Sequence, residues 1–411
     1  YPTGLPLHFA LASTLIDWIT GPRLVGLFAA LGAVALCYAV GREMGLEARL
    51  AAAGAVALAA CPVFLFTSFQ PMSDTLAGTW CLAAVWAALR ARRRVGWSAA
   101  CGAAFAVAVL VRPTNLFLLP ALLVLLGLDW RRLALATLGG LPGVAWLIFY
   151  NHALYGGAFQ SGYGEWQIFF GWMWVPQTVW HFTKWLAVML PTPLLLLPFA
   201  AFARRSTRTR HLLALVLWFS AITGFYAFYK VSHEVWWCLR FIAPALPPLI
   251  LMGLLGIEAL AQRRPGPGAD RVRGWAALTL AIWAIGAAVF WNHYYAITEI
   301  KNGEKIFSKT CEAVREQFPP GTLIVTMQFS GALYYYTDFP VLRWDQVEPA
   351  DFARYVALAQ KAGRTIAAVD YTSDEKAALE EHCPGHWVQT GQVFDAYIRR
   401  LMPAVPGADS K

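Results

Sequence analysis

Charge is scarce in this sequence. Asp, Glu, Lys and Arg make up 14% of its 411 residues against 58% hydrophobic residues, and the mean hydropathy is +0.49. A soluble chain of this length needs far more charge to cover its surface, so lipid must be the solvent for most of it. The scarcity is uneven. Residues 301–411 hold twelve of the thirty-three Lys and Arg and read as an ordinary soluble domain. The first three hundred residues read as apolar runs broken by short basic clusters. Other absences narrow the function classes. There is no GxGxxG, so a dinucleotide site is unsupported. There is no Cys-x-x-Cys or Cys/His spacing of the kind that binds metal. No internal repeat is evident, which counts against the duplicated halves of many transporters. A net charge of +9 does not mark a nucleic-acid partner, because the basic residues sit between apolar spans, where they set membrane orientation.

A helix needs roughly 20 apolar residues to cross a bilayer. Such runs lie near 23–41, 50–67, 75–89, 96–111, 115–128, 133–150, 179–203, 211–229, 241–261 and 275–292. The short pair 96–111 and 115–128 flanks Arg112-Pro113-Thr114-Asn115 and reads either as two spans or as one interrupted helix. Alternate loops (42–49, 90–94, 131–132, 204–210 and 263–273) carry sixteen arginines. The opposite side, before the soluble domain, has only Arg23, Arg112, Lys184, Lys230 and Arg240. The positive-inside rule places the arginine-rich loops in the cytoplasm, and treating 96–128 as one span would break the alternation. Residues 1–20, 68–74, 151–178 and 230–240 then share the outer face with the C-terminal domain, and chemistry is to be sought there. The expected fold is an α-helical polytopic membrane protein of about ten helices over 1–300, with a small extracytoplasmic α/β domain over 301–411. In that domain helical patterns at 304–317, 350–362 and 373–383 alternate with extended ones at 322–327 and 365–370, which predicts a small, mostly parallel sheet. Cys37, Cys61, Cys81 and Cys101 lie in apolar runs and read as small buried hydrophobes. Cys311 and Cys383 either pair, in an oxidising compartment, or remain thiols.

Four places carry candidate chemistry. Asp74 sits at the mouth of the span that starts at Thr75 and reads as a helix N-cap, a role compatible with catalysis because a capped carboxylate is held rigid and ionised. The loop 151–178 holds Tyr163 and Glu165 among glycines, then Phe169, Phe170, Trp172 and Trp174. Its aromatics either form a belt at the lipid headgroups or stack on sugars. In the stretch Lys230–Arg240, which includes His233, a cation heads an apolar helix, next to the positive end of the dipole. Arg240 there either meets a lipid phosphate, with Lys230 sharing it, or merely snorkels. Arg112, between two apolar segments, suits a phosphate or an internal carboxylate.

Taken in order, Tyr1-Pro2-Thr3-Gly4-Leu5-Pro6, Pro22-Arg23-Leu24, Ser73-Asp74 before a helix, Arg112-Pro113-Thr114-Asn115 with Pro120, Gly162-Tyr163-Gly164, and Trp236-Trp237-Cys238-Leu239-Arg240-Phe241 resemble a known family. It is the GT-C class of membrane glycosyltransferases, in the branch of protein O-mannosyltransferases and the aminoarabinose transferase of lipid A. The resemblance covers about residues 1–260 and implies a GT-C-like fold. It also implies transfer of a hexosyl or pentosyl group from a polyprenyl-phosphate-sugar donor to a lipid, glycan or protein acceptor, at the extracytoplasmic face of a bacterial inner membrane. Asp74 matches the family's second outer-face acidic position, and Arg240, with Lys230, the cations that hold the phosphate. The family's first acidic residue, usually the base, precedes the Tyr-Pro motif and so is expected upstream of Tyr1. Metal dependence varies across the class; the residues allow a divalent metal without compelling one. The Trp-Trp-Asp motif of the oligosaccharyltransferase branch is not matched, since Cys238 follows Trp236-Trp237. Two other readings stand beside the enzyme: a transporter or flippase for lipid-linked saccharides, and a non-catalytic scaffold. Transporters tend to place ionisable groups at broken helices in the midplane, whereas the notable charges here cluster at one surface.

Overall fold

Lipid offers backbone N–H and C=O groups no partner, so the apolar runs satisfy their own hydrogen bonds as helices. The structure, a computed structural model, describes residues 2–160, 166–197, 209–264, 266–371 and 373–402. The chain divides into two units, Tyr1–Thr298 and Glu299–Lys411.

In the first unit the helices are α1 (Gly4–Leu15), α2 (Thr20–Glu43), α3 (Ala48–Ala59), α4 (Pro62–Ser68), α5 (Ser73–Arg90), α6 (Trp97–Val111), α7 (Leu119–Leu126), α8 (Trp130–Tyr155), α9 (Val175–Met189), α10 (Pro193–Leu196), α11 (Thr209–Ala227), α12 (Leu246–Ala261) and α13 (Pro267–Tyr295). The apolar runs read from the sequence are largely helical over their described residues, but they are not equal, and residues 198–203 of the run at 179–203 lie outside the described residues. Among the described residues, five segments are long and apolar enough to cross a membrane: α2, α8, α11, Trp236–Ala261 and α13. The run at 50–67 is a broken pair, α3 and α4, bent by 62°. The others are shorter or more polar. The run at 96–128 breaks where Arg112 takes an extended backbone (φ −151°, ψ 108°), because the residue before a proline is driven out of the helical region. A 3-10 turn, Pro113–Leu118, follows before α7. Helix α1 is new: the segment 1–20 contains twelve helical residues that the Pro2 and Pro6 punctuation obscured.

Small residues set how closely the helices approach. A Cβ on Gly102 would lie 1.8 Å from the Ala136 carbonyl oxygen, so α6 and α8 touch backbone to backbone. Helix α8 has no buried residue and bares Leu138, Leu141, Phe149 and Leu154, as a lipid-facing span does. One end of this unit gathers the described arginine-rich loops at 42–49, 90–94, 131–132 and 271–273. Glu43 at the end of α2 pairs with Arg90 (3.1 Å) and Arg93 (3.2 Å), and buried Glu258 binds Arg273 at 2.8 Å. Asp74, at the start of α5, therefore stands at the opposite end of the helix from Arg90.

In the second unit α14 (Ile300–Gln317), α15 (Ser330–Tyr336), α16 (Pro349–Lys361) and α17 (Ser373–His382) flank a five-stranded sheet in the order β2-β1-β3-β5-β4. Strands β1 (Leu323–Val325), β2 (Val341–Leu342) and β3 (Ile366–Asp370) are parallel. Strands β4 (His386–Val393) and β5 (Ala396–Met402) form an antiparallel hairpin beside β3. The expected mostly parallel sheet is thus half of the real one. The hairpin escaped notice because β4 is largely exposed and polar, without the clean apolar alternation of a half-buried strand. Cys311 packs with Ile324, Ala367 and Ile398 on one face of the sheet, and Cys383 with Val325, Ile366 and Ala368 on the other. They are two buried free thiols, not a disulfide.

Candidate functional site

At the arginine-poor end of the first unit, segments far apart in sequence converge. Asp74 lies in the first turn of α5 and is 7% exposed. It is not the N-cap. That position belongs to Met72, which makes no side-chain cap, and the Asp74 carboxylate instead accepts from Arg112 Nη1. A charged guanidinium outcompetes backbone amides that the start of a helix leaves free. Arg112, 8% exposed, is turned inward at the Pro113 break. Its Nε and Nη2 donate to the Tyr226 hydroxyl at 3.2 and 2.9 Å, and Nη1 also reaches the Arg240 carbonyl at 3.4 Å. Thr114 Oγ1 lies 3.1 Å from the same Tyr226 hydroxyl. Of the alternatives open for Arg112, an internal carboxylate is the one the structure displays.

Tyr226 then stacks on Phe241 (5.5 Å between centroids, 19° between planes). The Arg240 guanidinium sits 5.3 Å from the Phe241 ring centroid and 5.2 Å from that of Trp237. Arg240 Nη1 lies 3.2 Å from Met72 Sδ, beside Asp74 in sequence. Arg240 Nε is buried without a hydrogen-bond partner among the described residues. Asp74 and Arg112 neutralise each other, so Arg240 is the net charge of this network. The Arg240 side chain is half-buried, and a partly desolvated guanidinium without an ion-pair partner suits an oxyanion.

Gly4, from the Tyr-Pro-Thr-Gly segment, abuts this site from α1. A Cβ there would lie 2.4 Å from the Val111 backbone nitrogen, so only glycine lets α1 press on the turn that presents Arg112. Lys230 and His233 belong to a neighbouring group. The Lys230 ammonium lies 5.6 Å from the Trp174 ring centroid, and the His233 ring stacks on the same indole. Lys230, expected from the sequence to share a lipid phosphate with Arg240, lies over the Trp174 ring. The two groups are joined through backbone: Gly171 N–H donates to the Phe228 carbonyl at 2.9 Å, and Phe170 bridges Tyr229. Tyr163 and Glu165 lie outside the described residues. Among the described residues no three His, Cys, Asp or Glu side chains gather to hold a metal ion.

Tyr226 is the residue that sequence reasoning missed. It belongs to an aromatic run, Phe225-Tyr226-Ala227-Phe228-Tyr229, at the end of a span, which looks the same as an interfacial belt until the fold brings Arg112 to it.

The fold of the chain is similar to that of three solved structures. Two of the solved structures it resembles are of ArnT from Cupriavidus metallidurans. The one bound to undecaprenyl phosphate matches with a TM-score of 0.61 at 15% identity, over 98% of this chain and 88% of that one. The apo structure matches with a TM-score of 0.63 at 15% identity, over 97% and 87%. A mutant of the arabinofuranosyltransferase AftD from Mycobacteria matches with a TM-score of 0.54 at 16% identity, over 96% of this chain and 36% of that one. No protein-family model and no curated protein sequence matches the chain.

Proposed function

We propose that this chain is a glycosyltransferase that takes a sugar from a polyprenyl-phosphate carrier and passes it to an acceptor at the extracytoplasmic face of the membrane. One observation carries the reading: Arg240 presents a buried, unpartnered Nε on an aromatic floor beside an ion pair that is already neutral. The fold likeness to ArnT bound to undecaprenyl phosphate supports it. In the reaction the acceptor oxygen attacks the anomeric carbon, and the bond from that carbon to the carrier's phosphate oxygen breaks. The electron pair leaves with the phosphate, where Arg240 stabilises the growing charge, and the acceptor's proton passes to a general base. Asp74 is engaged by Arg112, which suits it to position the cations rather than to take that proton. The arginines at the opposite end of the helices support a site on the outer face.

The test is transfer from radiolabelled undecaprenyl-phosphate-linked sugars to membrane lipids, glycans and proteins by the full chain in proteoliposomes. Arg240→Gln is expected to reduce transfer by about 10- to 100-fold, the worth of a charge-assisted hydrogen bond at a buried site. Unaltered transfer would show that Arg240 only anchors the helix. Vesicle-to-lumen movement of the intact lipid-linked sugar, without transfer, would favour the transporter reading.

A further inference from the structure

Helix α1 carries one titratable side chain, His8, and it is half-buried. Its Nδ1 lies 2.6 Å from the Gly4 carbonyl oxygen, and its Nε2 lies 3.2 Å from Nε1 of Trp80 on α5. A carbonyl oxygen only accepts, and an indole N–H only donates. Nδ1 must therefore carry the ring's proton, and Nε2 must be bare. The two partners fix His8 as a single neutral tautomer. A second proton, on Nε2, sets two donors face to face and breaks the link to Trp80.

The seat of α1 connects this link to the site. Leu5 and Trp80 pack on a small apolar cluster that holds Ala29 of α2, Ala77 of α5 and Val111 of α6. Gly4, the acceptor for His8, meets the Val111 backbone next to Arg112. A second tie runs from Trp146 Nε1 of α8 to Thr3 Oγ1 at 2.9 Å, and neither group titrates. His8 is thus the tie that acid can open, and the helix it grips is the one that carries Asp74. The charged groups around α1 are engaged elsewhere. Asp74 pairs with Arg112, and Asp17, with Arg23 nearby, accepts from the Ile19 and Thr20 N–H groups at the start of α2. His152, near the end of α8, is exposed, and the other charged side chains of α2, α5 and α8 lie at the arginine-rich end. Among the described residues none of these groups bonds to His8. Cysteine and tyrosine side chains do not ordinarily titrate below neutral pH.

We propose that His8 is a positioning residue that works only with its Nε2 bare: it then ties α1 to α5 and holds Gly4 against the turn of Arg112, and uptake of a proton releases the tie. The seating of α1 and the rate of transfer should then fall together as the medium is acidified through the range where an imidazole ordinarily charges. The effect on transfer rests on the transferase reading; the release of α1 does not.

The test follows α1 and transfer separately, with the full chain in proteoliposomes at about pH 8 and about pH 5.5, on either side of an ordinary imidazole titration. Hydrogen–deuterium exchange of the peptide Gly4–Leu15, corrected for the intrinsic pH dependence of exchange, is expected to be about three- to tenfold faster at the lower pH, the worth of one hydrogen bond. Transfer from the labelled donor should fall by a similar factor. In His8→Gln the side-chain carbonyl accepts from Trp80 at either pH, so both differences should shrink to less than about twofold. Trp80→Phe removes the donor, and its α1 should exchange fast at both pH values. That variant leaves α1 itself unchanged, so it keeps the comparison valid if His8→Gln disturbs folding. Two results would overturn the proposal: α1 exchange that depends on pH equally in all three proteins, or nitrogen NMR shifts of isotope-labelled His8 that show the Nε2-protonated tautomer at the higher pH. Transfer that falls equally in the wild type and His8→Gln, while their α1 exchange differs, would overturn the positioning role. If α1 behaves as expected in a protein that transfers no sugar at either pH, the transferase reading fails and the release of α1 stands.

Discussion

Replacing Asp74 by asparagine separates two roles that a carboxylate at this place could have. The Asp74 and Arg112 side chains are 9% and 10% exposed, so their ion pair is shielded from water. Removing one partner of a buried pair typically costs about 3–5 kcal/mol, because the other charge is left uncompensated. Here the Tyr226 hydroxyl and the Arg240 carbonyl still accept from Arg112, which places Asp74→Asn near the low end, about 3 kcal/mol. Arg112→Gln should cost a similar amount by stranding the carboxylate. If Asp74 acts by positioning Arg112, the two losses share one cause. The double variant should then be less destabilised than the sum of the singles by about 2–3 kcal/mol, the coupling expected of residues in contact. Its transfer rate should likewise fall little below that of either single variant. Stability is read by sodium dodecyl sulfate titration in mixed micelles, and transfer by the labelled-donor assay. Strictly additive losses in both, together with loss of the acidic limb of the pH–rate profile in Asp74→Asn alone, would make Asp74 the base and refute the positioning argument.

Tyr226→Phe keeps the stacking on Phe241 but deletes the acceptor of two Arg112 N–H groups, and should destabilise the protein by about 1–3 kcal/mol in the same titration. An unaltered midpoint would remove Tyr226 from the network. In the second unit, burial pushes the Cys311 thiol up to about 11 and the Cys383 thiol up to about 12, so neither is ionised at neutral pH. Both should resist maleimide at pH 7.5 in the native protein and react after denaturation, with no mass change on reduction; rapid native labelling would contradict their burial. Single cysteines at Gln160 and Arg92 in a cysteine-free background should label from opposite sides of the membrane with an impermeant reagent. Labelling from one side would overturn the orientation.

The helical unit was legible because apolar runs in lipid have one way to satisfy their backbone, and the segregation of arginines marked which ends belong together. What the sequence hid were partnerships across distance. Asp74 and Arg112 are separated by 38 residues, and nothing local says that one caps the other's charge instead of its own helix. Arg112 suited a phosphate and a carboxylate equally well until Pro113 was seen to turn it inward. Lys230 was read as sharing a phosphate with Arg240, and nothing local announced that its ammonium lies over the Trp174 ring, 56 residues away in sequence. The C-terminal hairpin was missed for a different reason: its exposed, polar strand carries no period that distinguishes it from a loop.

The most direct measurement is a structure of the full chain with undecaprenyl phosphate. The account predicts the phosphate within hydrogen-bonding distance of Arg240 Nε, above the Trp237 and Phe241 rings, with the Asp74–Arg112 pair intact beneath it. A phosphate bound elsewhere, with Arg240 Nε still buried against protein, would contradict it.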